Sequence, residues 1–247
     1  MRLEVLGFWG GTPERGGATS GYLLHLDQGV LMLDCGSGVM SELSRRMAFH
    51  KVRYLILSHL HFDHIADVGI LQYGFNRALR NGWVAEPLPV LAAGEPRVFW
   101  DALQSQEAHW EEIDAAREYA ILGAKVSFLE VQHTVPCYAV KVVDRSERVF
   151  VYSADTAYFE EGLVDFVAGA DVFLCEATNF EGSVHSVGRG HMSAGEAGRL
   201  AAAAGVGKLV LTHLPSDGNF EAMRQEAKAE FSGQVLLASE VGWWKFR

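Results

Sequence analysis

A chain of 247 residues with 49% apolar and 21% charged side chains holds enough apolar material for a substantial core and too little charge bias to stay disordered. Its formal net charge of −10 argues against a large nucleic-acid footprint, because an acidic surface repels polyphosphate and the densest basic cluster is only Arg45, Arg46 and Lys51. No apolar run reaches the roughly 20 residues of a membrane span, and the three scattered cysteines, Cys35, Cys137 and Cys175, make no disulfide framework, so a cytoplasmic protein without membrane contact is expected.

Residues 1–11 lack the apolar stretch and small-residue cleavage site of a signal peptide and read as a first strand. Strands are expected at 2–6, 21–26 and 30–33, followed by a helix at 39–47. Residues 53–57 form a buried strand that runs straight into a histidine-rich loop, and helices at 67–81 and 100–119 come next. Strands at 125–129, 138–143, 149–152 and 172–175 lead to a helix at 193–204, where Ser193 as N-cap and Glu196 three residues on form a capping box. A strand at 208–211, a helix at 220–231 and a strand at 235–237 close the series. No Pro/Gly/Ser-rich linker divides the chain, so one domain over 1–247 is expected. Runs of strands followed by strands alternating with helices, in both halves, suggest two mixed sheets packed together with helices outside. The pattern alone does not separate this from a doubly wound sheet.

Four metal-competent side chains, His59, His61, Asp63 and His64, lie within six positions after the strand at 53–57. Strand C-terminal ends are where layered α/β scaffolds place their sites. Alternation in an extended start would point His59 and His61 the same way, and a turn would carry Asp63 and His64 to a second, adjacent centre. Imidazole and carboxylate suit zinc, and also manganese or iron. With His at 10 and Asp at 11 of 247 positions, such a run arises by chance in roughly one chain in a thousand. Two metals need further ligands, and His133, Asp155 and His213 each follow a predicted strand in the same manner. Each is weak alone, since a lone His or Asp there is usually a cap or turn residue; the recurrence strengthens the set.

These residues, in this order, resemble the motifs of the metallo-β-lactamase superfamily. The segments Gly7-Phe8-Trp9-Gly10-Gly11-Thr12, Leu33-Asp34-Cys35-Gly36-Ser37-Gly38, Cys175-Glu176-Ala177-Thr178 and Gly190-His191-Met192-Ser193 resemble its ribonuclease Z-like branch. The resemblance implies an αββα sandwich of two mixed β-sheets with outer helices. It implies a first metal held by His59, His61 and His133, a second by Asp63, His64 and His213, and Asp155 bridging, with two divalent ions, zinc or else manganese. An Asp rather than a Cys at the bridging place argues against β-lactam hydrolysis. In the implied mechanism the metals activate water, Asp63 accepts its proton, and His191, charged and oriented by Glu176, is the general acid.

The branch's tRNA-gripping arm belongs between the isolated His and the bridging Asp. Here His133 and Asp155 are 22 positions apart, room for a strand pair and nothing more. A phosphodiesterase acting on a small molecule or short oligonucleotide is therefore expected. A lactone, thioester or carboxylic-ester hydrolase and a tRNA 3′-end endonuclease are the alternatives. Phe62 and Tyr73 are candidates to line the pocket, whereas Trp100, Trp110, Trp243 and Trp244 read as core or edge packing. His185 reads as a surface-loop residue before a lid residue, and the aromatic segment 241–244 as a last core strand or a homodimer contact.

Overall fold

A computed structural model describes residues 1–14, 16–182 and 190–241, and the backbone of a terminal strand at 244–245. His185 and Trp243 lie outside the described residues. The first half builds β1 (Arg2–Gly7), β2 (Gly21–Leu26), β3 (Gly29–Leu33), α1 (Val39–Arg46), β4 (Val52–Leu57), α2 (Phe62–Ile65), α3 (Val68–Arg80), β5 (Leu88–Ala92), α4 (Arg97–Leu103) and β6 (Ala108–Glu112). The second half builds β7 (Tyr119–Ile121), β8 (Ala124–Glu130), β9 (Tyr138–Val143), β10 (Val149–Tyr152), α5 (Leu163–Val167), β11 (Val172–Glu176), α6 (Ala194–Ala203), β12 (Lys208–Thr212), α7 (Phe220–Glu230) and β13 (Gln234–Leu237), and β14 (Trp244–Lys245) follows.

One sheet runs β14-β1-β2-β3-β4-β5-β6 and the other β13-β12-β11-β10-β9-β8-β7. In the first, pairing is antiparallel up to β3 and parallel from β3 to β6. In the second it is antiparallel from β7 to β10 and parallel from β10 to β13. The architecture is the expected two-sheet sandwich with helices outside, not a doubly wound sheet. Period-two alternation sorts the first sheet between two cores. Leu24, Leu31, Leu33 and Ile56 meet Val140, Phe150, Tyr152 and Phe173 between the sheets, while Leu23, Met32, Leu55 and Leu57 pack under Leu43, Leu71 and Phe75 of α1 and α3. Central strands buried on both faces read as continuous apolar runs, which is why these strands were legible.

The expected helix at 100–119 does not form. Backbone at Gln104 is extended, ending α4, and β6 pairs in parallel with β5, Leu88 opposite Ala108 and Ala92 opposite Glu112. Trp100 and Trp110 share no helix; they meet edge to face across the α4–β6 turn at 5.5 Å. The partner strand β5 carries Pro89, which weakens any local strand signal, so helix-like spacing prevailed in the sequence and sheet pairing prevailed in the fold. Ser193 caps α6 as expected, accepting from Glu196 N while Glu196 accepts in return. Parallel strands β3, β4, β10, β11 and β12 end at one edge, where Asp34, His59, Asp155, Glu176 and His213 gather.

Candidate metal centre

Local chemistry folds the His-rich loop in two steps. His61 stays extended as the N-cap of α2, and one helical turn then carries Asp63 and His64 inward, His64 N donating to His61 O at 3.0 Å. That turn is stitched to the end of β3: Cys35 N donates to His64 O at 2.8 Å and Asp67 N to Cys35 O at 3.0 Å. Glycine is required at Gly36, because a Cβ there would collide with the Asp63 carbonyl.

Two groups of ligand atoms result. His59, His61 and His133 form one: His61 Nδ1 lies 3.1 Å from His59 Nε2 and 3.1 Å from His133 Nε2. Asp63, His64, Asp155 and His213 form the other, with Asp63 Oδ2 3.0 Å from His213 Nε2 and 3.5 Å from His64 Nε2. Asp155 Oδ2 sits between them, 3.3 Å from both His64 Nε2 and His213 Nε2 and 3.7 Å from His59 Nε2. All seven predicted ligands are thus brought together.

The donor set fits divalent metal. His133 Nδ1 donates to Gly190 O at 2.8 Å and His64 Nδ1 to Asp34 Oδ2 at 2.9 Å. Thr178 Oγ1 donates to Glu176 Oε2 and so accepts from His213 Nδ1, both at 2.8 Å. Each outer bond engages Nδ1 and leaves Nε2 facing the cluster, the orientation metal-binding imidazoles require. His64 Nε2 and Asp155 Oδ1 are buried with no hydrogen-bond partner, a costly arrangement that a cation would relieve. Burial pushes the pKa of His59 well below its ordinary value, keeping that ring neutral. Burial also opposes charge on His64, but Asp155 and Asp34 outweigh it and raise its pKa well above the ordinary value. Asp63 is held below the carboxylate range, since His213 and His64 overcome the desolvation that would raise it.

Asp34 is the central residue that sequence reasoning missed as a site member. Fully buried, it accepts from His64 Nδ1 at 2.9 Å, Ser58 N at 2.8 Å, Ser58 Oγ at 2.9 Å and the Tyr152 hydroxyl at 2.9 Å. Its signal was its place after a strand, the same criterion that found Asp155. Asp34, Ala154 and His213 also share left-handed backbone, with φ of 56°, 53° and 52°, strain of a kind that clusters at functional sites. Asp34→Asn replaces an acceptor by a group that competes to donate. It is expected to weaken metal binding by about 10–100-fold in competition with a chromogenic chelator; unchanged affinity would remove the orienting role.

The predicted acid pair is also assembled. Glu176, fully buried, accepts from Thr156 N at 2.9 Å, from the Thr178 hydroxyl and from His191 Nδ1 at 3.0 Å. Burial works to lower the pKa of His191, but the Glu176 carboxylate lifts it to about 9. His191 therefore carries its proton near neutral pH, with Nε2 left for a substrate. It lines a cavity of about 330 Å³ together with His61, Asp63, Asp155 and His213, and with Gly10, Gly11, Thr178, Pro215, Ser216 and Asp217. Phe62 and Tyr73 do not line this cavity; both rings are largely solvent-exposed, on α2 and α3. The one-turn α2 turns Asp63 and His64 inward and leaves Phe62 on its outer face.

The sequence profile described as the β-lactamase superfamily domain matches residues 30–214. The chain belongs to the metallo-β-lactamase superfamily, on its ribonuclease Z-like branch. It is 35% identical over 247 residues to YhfI of Bacillus subtilis, described as a probable metallo-hydrolase, covering 99% of this chain and 100% of that one. The YhfI crystal structure superposes with a TM-score of 0.92 at 34% identity, covering 98% of each chain. Ribonuclease Z of Thermobifida fusca is 25% identical over 300 residues, covering 97% of this chain and 92% of its own. The human short-form tRNase Z shares the fold, with a TM-score of 0.79, 18% identity and full coverage of both chains. This metallo-β-lactamase-fold protein is a metallo-hydrolase. None of its described helices is long and apolar enough to cross a membrane.

Proposed function

We propose that this hydrolase is a phosphodiesterase that uses two divalent metal ions, zinc or else manganese, on a small or flexible phosphodiester. His59, His61 and His133 would hold one ion, Asp63, His64 and His213 the other, with Asp155 between them. The observation that carries the substrate class is the His191–Glu176 pair at 3.0 Å on the wall of the ligand cluster. A protonated imidazole held there suits a leaving group that departs as a strongly basic alkoxide. The name of the Thermobifida relative, a ribonuclease, is consistent with the same bond type.

When bound, the metal ions supply Lewis-acid polarisation of the phosphoryl group and acidify an attacking water. The chain's own residues do the rest. Asp63, held by Gly11 N at 2.9 Å, faces the cavity and takes the proton released as water attacks phosphorus. The bond from phosphorus to the leaving oxygen breaks, and His191 Nε2 delivers a proton to that oxygen. Glu176 keeps the imidazole charged beforehand and oriented throughout. The cavity, near the lower bound for ligand sites, suits a mononucleotide-sized group. Between β9 and β10 the chain makes only the turn at 144–148, so the gap between His133 and Asp155 carries no projecting arm to hold a folded RNA.

The test is hydrolysis of bis(4-nitrophenyl) phosphate by the purified protein, stripped of metal and then reloaded with zinc or manganese. Turnover that vanishes on stripping and returns on reloading is expected. A protein that binds two equivalents yet cleaves no diester, while hydrolysing lactones or thioesters, would overturn the phosphodiester reading.

A further inference from the structure

Resting on the phosphodiester reading, we propose that Asp217 makes this cavity selective for net charge: it admits a diester bearing one negative charge and disfavours one that carries a second phosphate beside it. Three carboxylates line the cavity, Asp63, Asp155 and Asp217. The first two lie within the ligand cluster, in contact with His64 and His213, where a metal ion would offset their charge. Asp217 is different. It stands at the exposed turn between β12 and α7, four residues beyond His213, and among the described residues no cation or hydrogen-bond donor meets its carboxylate. Nor do the described lining residues include a lysine or arginine.

This arrangement has a physical consequence. Metal ions and His191 would act on charge at the reacting phosphorus, whereas a second phosphate reaching the rim would meet a carboxylate that no described residue compensates, in a chain of net charge −10. A hydroxyl or amine at that place would instead find an acceptor. Because Asp217 is solvent-exposed, the repulsion is screened by salt and its size is modest, about three- to tenfold at low ionic strength. The turn itself fixes the position. Gly218 N donates to Pro215 O at 3.1 Å, and Asn219 caps α7 by accepting from Ala222 N, so residues 216–217 are held at the cavity rim.

The experiment compares kcat/KM of the metal-loaded protein for the dinucleoside monophosphate TpT with that for its 5′- and 3′-phosphorylated forms, pTpT and TpTp. Wild-type protein is expected to prefer TpT over at least one phosphorylated form by about three- to tenfold in 20 mM salt, and less in 500 mM. Asp217→Asn should bring that ratio close to one and Asp217→Lys should invert it. Calorimetric binding of the same ligands to a His191→Ala background, in which turnover is slowed, should show the same ordering. Ratios that are identical in wild type, Asn and Lys proteins would overturn the proposal while leaving the phosphodiester reading intact. Failure of wild type to cleave any of the three, with metal bound, would sink the phosphodiester reading and this inference with it.

Discussion

Asp155→Ala is expected to cost the protein bound metal and to lower turnover on the order of 10³-fold or more. Asp155 Oδ2 lies within 3.7 Å of three imidazole nitrogens drawn from both ligand groups, and Oδ1 is buried with no hydrogen-bond partner. Among the described residues no other carboxylate in the cluster lies this close to imidazole nitrogens of both groups. Losing the carboxylate would leave three imidazoles in one group and Asp63 with two imidazoles in the other, with no anion between them, so affinity should fall in both groups. Asp155→Asn keeps the volume and separates loss of charge from loss of packing. Metal content by emission spectroscopy and turnover of a diester check the outcome, with circular dichroism to establish that each variant is folded. An alanine variant that retains two equivalents and normal turnover would exclude the bridging role.

The second large effect is expected at His191. With its Nδ1 committed to Glu176 at 3.0 Å and its pKa lifted to about 9, the imidazolium is placed to protonate a departing oxygen. His191→Ala should lower hydrolysis of a dinucleotide, whose leaving group is a basic alkoxide, on the order of 10²–10⁴-fold. Hydrolysis of bis(4-nitrophenyl) phosphate should fall much less, because nitrophenolate leaves without a proton. Metal content should not change, since the seven predicted ligands remain. Glu176→Gln should follow the same leaving-group pattern with a smaller loss, as it leaves the imidazole in place but lowers its charge. Equal losses on both substrates would argue that His191 positions the substrate and does not donate a proton.

The same physical logic orders the neighbouring residues by what their loss would affect. Asp34 and Thr178 touch the outer nitrogens of His64 and His213, two of the predicted ligands, so their loss should appear first as weakened metal affinity. Asp217 touches no ligand among the described residues, so its loss should appear in the ranking of substrates. Phe62, set between His61 and Asp63 in the chain, points outward and packs edge-on against Phe99 at 4.9 Å. Adjacency in sequence to two ligands does not place it in the cavity.

The sequence by itself determined the composition of the centre. Seven ligand-type residues and the Glu176–His191 pair lie at a strand's end, shortly after one, or just before a helix cap, positions fixed by local apolar runs and by the Ser193 capping box. Those signals are local: a strand buried on both faces writes itself as an unbroken apolar run, and histidine is rare enough that its clustering is informative. Only the tertiary structure decided which strand ends meet. Asp34 and His64 are 30 positions apart and Asp63 and His213 150 apart, and their contact depends on two sheets that both switch from antiparallel to parallel pairing. Pairing of β5 with β6 likewise overrode a helix-like pattern after residue 103, because a ladder to a strand 20 residues upstream is invisible to local periodicity. The charge of the cavity wall was decided last, by the turn after β12, which brings Asp217 to the rim of a site its neighbours in sequence give no reason to expect.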